Sequence, residues 1–194
     1  MDETRRKKYD ELWEQREQLN RELAQILHED TQMDVQDYEL TDHGGNSLRL
    51  SDCFGEHDKL VLIHNMGKHC NYCTLWAEGF NGVWRHIESG EYGDKAAFVL
   101  LNNDTPEQQK VFAAEKGWDF PMYSCHGTTL FSDLGYQVER DGQTYYNPGY
   151  SALVKNPDGS LRRVAADSFG PGDMYCSVFN FFNAFPQAAG EAGK

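Results

Sequence analysis

The chain has 194 residues, 39% hydrophobic and 25% charged, which suffices for one well-filled core and is short for two. Its formal charge of -13 is interrupted by no Lys/Arg stripe, which argues against nucleic acid as a partner. Apolar runs such as Leu60-Val61-Leu62-Ile63 read as buried strands, far below the about 20 residues of a membrane-spanning helix.

The N-terminus, Met1-Asp2-Glu3-Thr4-Arg5-Arg6-Lys7-Lys8, has no apolar stretch behind its charges, so it does not read as a secretory leader, and the expected compartment is the cytoplasm. Five cysteines, an odd number in such a setting, do not suggest a disulfide framework.

Residues 4–28 are rich in Glu, Arg, Gln and Leu and contain no Gly or Pro, which predicts a helix. Tyr9, Leu12, Leu19, Leu23 and Ile26 form a seam at three- and four-residue spacing, with Arg16 interrupting it. That seam suits docking on the rest of the chain first, and pairing into a homodimer second.

Val35–Thr41 alternates as a strand does, and His43-Gly44-Gly45-Asn46 is a turn. Lys59–Asn65 reads as a buried strand, and the loop Met66-Gly67-Lys68-His69 leads from it into a helix predicted over 71–87. Ala96–Leu101 is the next buried strand and Thr105–Lys116 the next helix, with Thr105 and Pro106 in cap and first-turn positions. A short strand is expected over Phe120–Ser124 and a helical turn near Leu130–Leu134. Tyr150–Lys155 and Leu161–Ala165 make a hairpin around Asn156-Pro157-Asp158-Gly159. A last amphipathic helix is expected over Gly172–Phe185. This order predicts an α/β fold with a central mixed sheet covered by helices on both faces. The expected organisation is an N-terminal helix (1–30), one domain (31–186) and a frayed tail (187–194).

Cys70-Asn71-Tyr72-Cys73 follows a buried strand and opens a helix. A thiolate at a helix N-terminus meets unpaired backbone N–H groups and the positive end of the macrodipole, which favours the ionised form. Lys68 and His69 add local positive character. Cys73, one turn along, can reach the first sulfur, so Cys70 is the expected nucleophile and Cys73 the resolving thiol. Two blander readings stay open. The cysteines can pack as small hydrophobes, or His69, Cys70, Cys73, Cys125 and His126 can ligate zinc, although adjacent Cys125-His126 lacks the usual ligand spacing. No cofactor is expected.

Leu62-Ile63-His64-Asn65-Met66-Gly67, the stretch from Cys70 and Cys73 through Trp76-Ala77-Glu78-Gly79-Phe80-Asn81-Gly82, and Gly117-Trp118-Asp119-Phe120-Pro121 resemble a bacterial thioredoxin-like family catalogued mainly as a domain of unknown function. The resemblance implies a thioredoxin-like three-layer sandwich, related in layout to peroxiredoxins and thiol oxidoreductases. With the dithiol, it suggests a thiol–disulfide oxidoreductase acting on a protein or small-molecule thiol or disulfide; a non-catalytic binding module is the alternative. Thioredoxins carry Trp-Cys-Gly-Pro-Cys, whereas His69, Asn71 and Tyr72 stand here. Peroxiredoxins use Thr-x-x-Cys, and Gly67 stands three before Cys70, which argues against a peroxidase of the usual kind. Thioredoxin folds also place a cis-proline opposite the dithiol, and Pro148 is the candidate. His69, Tyr72, Pro148 and Cys125 are the expected neighbours of the reacting pair, Cys125 as a third thiol or a half-buried loop cysteine. His64 is read as a core histidine, and Trp76, Phe80 and Trp84 as core packing.

Overall fold

The computed structural model describes residues 1–182 and 184–185; the expected tail over 187–194 lies outside the described residues. Helix α1 (Glu3–Asp30) is capped by Asp2, whose carboxylate accepts from the Arg5 N–H at 2.8 Å. Three short strands follow, β1 (Met33–Val35), β2 (Glu39–Thr41) and β3 (Ser47–Arg49), then a 3-10 turn over Leu50–Phe54. The single strand expected over 35–41 is thus two, divided at 36–38. Strand β4 (Lys59–His64) leads through a loop to α2 (Asn71–Asn81) and α3 (Trp84–Ser89). The helix expected over 71–87 breaks in two at Gly82 and Val83, the cap residues between its halves.

Beyond these lie β5 (Ala97–Asn102), α4 (Pro106–Lys116), β6 (Met122–Ser124) and α5 (Leu130–Asp133). The chain closes with β7 (Gln137–Arg140), β8 (Gln143–Tyr146), β9 (Gly149–Lys155), β10 (Leu161–Ser168) and α6 (Ser177–Phe182). Helix α6 is shorter than expected. Gly172 has φ +91, and the Asp173 carboxylate accepts from the N–H groups of Gly170, Tyr175 and Cys176, so a side chain holds this stretch as a turn.

Eight strands form one mixed sheet in the order β1-β10-β9-β4-β5-β6-β2-β3, with β4, β5 and β6 parallel and the remaining pairs antiparallel. Every residue of central β5 is buried, as a strand covered on both faces requires. Its alternation divides the core. Ala97, Val99 and Leu101 join Leu60 and Leu62 on one face, beneath the 3-10 turn and α5. Phe98 and Leu100 join Ile63 on the other, beneath Trp76 and Ala77 of α2 and Ala113 of α4. Helices on both faces of a mixed sheet are the three-layer arrangement expected from the sequence.

Helix α1 is hydrogen-bonded to this body at its last turn. Between Arg163 and Ala165 the β9–β10 register slips, and the Val164 carbonyl at the slip accepts from His28 Nδ1 at 2.9 Å. The Arg163 side chain donates to the carbonyls of Thr31 and Leu134, each at 2.8 Å. None of the α1 residues is buried, so the apolar seam is not what docks.

Candidate active site at the carboxyl ends of the parallel strands

Strands β4, β5 and β6 all end at the same edge of the sheet, where open α/β sheets hold their ligands. The three strand ends deliver Asn65-Met66-Gly67, Asn103-Asp104 and Cys125-His126 side by side. Asn65 continues the β4–β5 ladder by donating its N–H to the Leu101 carbonyl at 2.9 Å, and its side-chain oxygen accepts from the Gly67 N–H at 2.7 Å. Its amide nitrogen donates to the Cys73 carbonyl at 3.4 Å, tying the strand end to the first turn of α2.

Gly67 has φ +94, and a β-carbon there would lie 2.8 Å from the Asp104 carboxylate. The backbone angle favours glycine, and any side chain there would displace the Asp104 carboxylate from its hydrogen bonds. That carboxylate accepts from the Lys68 N–H at 2.8 Å and from the Asn102 amide at 3.3 Å, while Ser124 Oγ donates to the Asp104 carbonyl at 2.6 Å. Asp104 therefore binds all three strand ends together. Asp104 is absent from the residues expected from the sequence, because its partners lie on three separate strand ends. It also sets a negative charge against the Lys68–His69 loop, offsetting the positive character expected there.

Cys70 is the N-cap of α2, and its sulfur accepts from the Cys73 N–H at 3.1 Å. This is a capping role in which a charged acceptor is stronger than a neutral one. Cys70 is half-buried and Cys73 only 2% exposed. Burial, and then the neighbouring Cys70, push the Cys73 thiol well above its ordinary range, so it is held as a neutral thiol.

The other expected site residues are placed as follows. His69 is exposed on the loop. Tyr72 is 53% exposed, its ring 6.1 Å from Trp76 and 6.4 Å from Phe179. Pro148 immediately precedes β9, where Gly149 stands opposite His64 at the dithiol end of β4, but all described peptide bonds are trans. Pro148, the candidate for a cis bond, is trans; its carbonyl accepts from the Phe169 N–H at 2.9 Å, extending the β9–β10 ladder. Cys125 is fully buried on the far core face, donates to the Asn102 carbonyl at 3.2 Å, and has a thiol pushed up to about 12 by burial. That placement fits packing, not a third reacting thiol. Among the described residues no three His, Cys, Asp or Glu side chains gather to hold a metal ion, so the suggested zinc set is not assembled.

His64 is fully buried, stacked on Tyr136 at 3.7 Å between ring centroids, with Nε2 2.9 Å from Ser151 Oγ. Burial, with the Arg163 charge nearby, pushes its pKa well below the usual range, as befits a neutral core histidine. Beside the dithiol loop, an open groove of about 520 Å³ runs between Met66 and His69 on one side and His126, Thr128 and Tyr146 on the other, with Asn103 and Asp104 also lining it. His126 Nδ1 lies 3.1 Å from the Asn103 carbonyl, which can only accept, so that nitrogen carries the proton.

The family model described as "AhpC/TSA family" matches residues 31–164, most of the chain, and covers all three strand ends. The chain belongs to the AhpC/TSA family. This places it in the thioredoxin-like superfamily that its motifs imply, within a peroxiredoxin family. Among solved structures it is similar to peroxidoxin BcpB from Mycobacterium tuberculosis, with a TM-score of 0.58 and 21% identity over 81% of this chain and 98% of that one. It is also similar to a C47S mutant of PrxQ from Xylella fastidiosa (TM-score 0.58, 18% identity, 76% of this chain and 88% of that one). Reduced Prx3 from Vibrio vulnificus, solved in complex with hydrogen peroxide, aligns at a TM-score of 0.54 and 11% identity over 73% and 88% of the two chains. At these identities the likeness carries the fold: an α/β thioredoxin-like sheet with helices on both faces. Among curated proteins none matches the chain.

Proposed function

We propose that this AhpC/TSA family member is a thiol oxidoreductase that cycles the Cys70–Cys73 dithiol. The observation that carries the reading is the pairing of half-buried Cys70, whose sulfur caps α2, with a buried neutral thiol one turn behind it. Cys70 Sγ, as thiolate, attacks one sulfur of a substrate disulfide, forming a mixed disulfide and expelling the other substrate sulfur as a thiolate. Cys73 then attacks Cys70 Sγ, its proton passing to the second substrate sulfur, which leaves as a thiol, and a Cys70–Cys73 disulfide remains. Two electrons pass to the substrate, and an external dithiol returns them. His69 and Tyr72 flank the sulfur, Pro148 lies at the same sheet end, and the adjoining groove receives the substrate. A cytoplasmic setting, where thiols are kept reduced, belongs to the same reading, as does self-association through α1.

Family membership favours a second oxidised substrate, a peroxide. The Cys70 thiolate attacks one oxygen, breaks the O–O bond and becomes a sulfenic acid as hydroxide or alkoxide leaves. Cys73 attacks that sulfur, water departs, and the same disulfide results. Burial of Cys73 supports Cys70 as the attacking sulfur in both cases.

One experiment tests both. Reduced protein is treated with about one equivalent of hydrogen peroxide or of an aromatic disulfide, and free thiols and peptide masses are followed. Loss of two thiols per chain, mapped to Cys70–Cys73, is expected. Cys73→Ser should trap a mixed disulfide or sulfenic acid on Cys70, and Cys70→Ser should be inert. Trapping on Cys73 in the Cys70→Ser variant would reverse the roles, and no disulfide under either oxidant would refute the reading.

A further inference from the structure

Helix α1 leaves an apolar seam without a partner, and its charge pattern says what covers it. Tyr9, Leu12, Leu19, Leu23 and Ile26 are 49–58% exposed, although they lie, with Arg16, at an alternating three- and four-residue spacing. That is the a/d pattern of a two-helix seam. The 28-residue helix is about 42 Å long, its hydrogen bond from His28 to the body lies near its C-terminal end, and its seam residues stay about half exposed. An open cleft of about 800 Å³ between α1 and the 172–180 segment, lined by Arg16, Asn20, Leu23, Asp173 and Tyr175 among others, gives room beside it.

We propose that a second copy of this chain pairs with α1 in antiparallel orientation, in the register where residue numbers of facing seam positions sum to 35. Tyr9 then faces the partner's Ile26, Leu12 the partner's Leu23, and Arg16 the partner's Leu19, so each layer contains at least one aliphatic side chain. In that register the flanking positions bring Lys8 against the partner's Glu29, twice by symmetry, and Gln15 against the partner's Glu22. A parallel pair in register would instead set Arg16 against the partner's Arg16 and bring the two Arg5-Arg6-Lys7-Lys8 clusters together. It would also hold two strongly acidic domains side by side at the same end. The antiparallel pair places them at opposite ends, several times the about 8 Å Debye length apart at physiological salt.

The test is sedimentation equilibrium of the full chain with charge-swap variants. A species of twice the 22.2 kDa chain mass is expected at about 100 μM protein. Lys8→Glu and Glu29→Lys should each raise the dimer dissociation constant about tenfold, because attraction becomes repulsion at two sites, and the double swap should restore it. Leu12→Glu with Leu23→Glu should give monomer with unchanged helix content by circular dichroism, since neither residue is buried within the chain. A monomer throughout, or a dimer indifferent to the double leucine change, would overturn the proposal. Single swaps that are not rescued by the double swap would overturn its register.

Discussion

Helices α1 and α2 stand at opposite extremes in one chain. The 28 residues of α1 bury none of their side chains, whereas the 11 residues of α2 bury Cys73, Trp76 and Ala77. Helix α1 holds its shape through good helix formers, an aspartate cap and short-range ion pairs such as Arg6–Asp10. Helix α2 contains two glycines among its last four residues and its caps, yet the core beneath Trp76 fixes it. The helix that opens on the proposed dithiol is held by the fold, and the helix held by its own sequence leaves its apolar seam exposed.

The largest effect that would break this contrast lies under α2. Trp76→Ala should destabilise the domain by about 3–5 kcal/mol in denaturant titrations, because it empties a site packed by Phe169 and Phe179. A loss below about 1 kcal/mol would mean that α2, too, stands on propensity alone.

Gly67→Ala should cost about 1–3 kcal/mol, since it strains a positive φ and drives a methyl group against Asp104. The same variant should slow Cys70–Cys73 disulfide formation, because the loop that sets the Cys70 cap must shift. Normal thiol kinetics in a destabilised protein would separate the loop from the chemistry.

Acid should act on the dithiol end through His64. Its pKa is depressed in the folded state, so below about 6.5 the unfolded chain takes up a proton that the folded chain refuses. Stability should therefore fall as pH drops from 7 toward 5, by up to about 1.4 kcal/mol per unit from this residue. His43, also lowered by burial, adds to the same window, so His64→Gln should reduce the slope without abolishing it. An unchanged slope in that variant would remove His64 from the account.

The smallest effect belongs to α1. Leu12→Ala should shift the unfolding free energy of dilute, unpaired protein by less than about 0.5 kcal/mol. A larger loss would show that the seam docks on its own domain after all.

The central strands and the position of the Cys-x-x-Cys pair were legible in the sequence, because full burial leaves continuous apolar runs such as Ala97–Leu101 and the pair stands where one such run gives way to a helix. Elements without an apolar signature escaped. Strands β7 and β8 are largely exposed, so no alternation marks them, although Asp141-Gly142, both at positive φ, spelled out their two-residue turn. Strand β3 has three residues, too few for a period to show. The helix expected across 71–87 breaks because the chain redirects at Gly82 and Val83 to seat Trp84, whose indole donates to Asp119 at 2.9 Å. Asp104 was invisible for another reason. Its role comes from three strand ends meeting in space, which no local pattern encodes.

The proposed chemistry requires Cys70 and Cys73 to form one redox couple. Equilibrating the protein against a graded glutathione series, then counting alkylated Cys70 and Cys73 by mass, tests that most directly. The prediction is that both thiols disappear together in one reversible two-electron transition, with a tenfold change in the oxidised ratio per about 30 mV. Cysteines that stay reduced across the series, or that modify independently of each other, would contradict it.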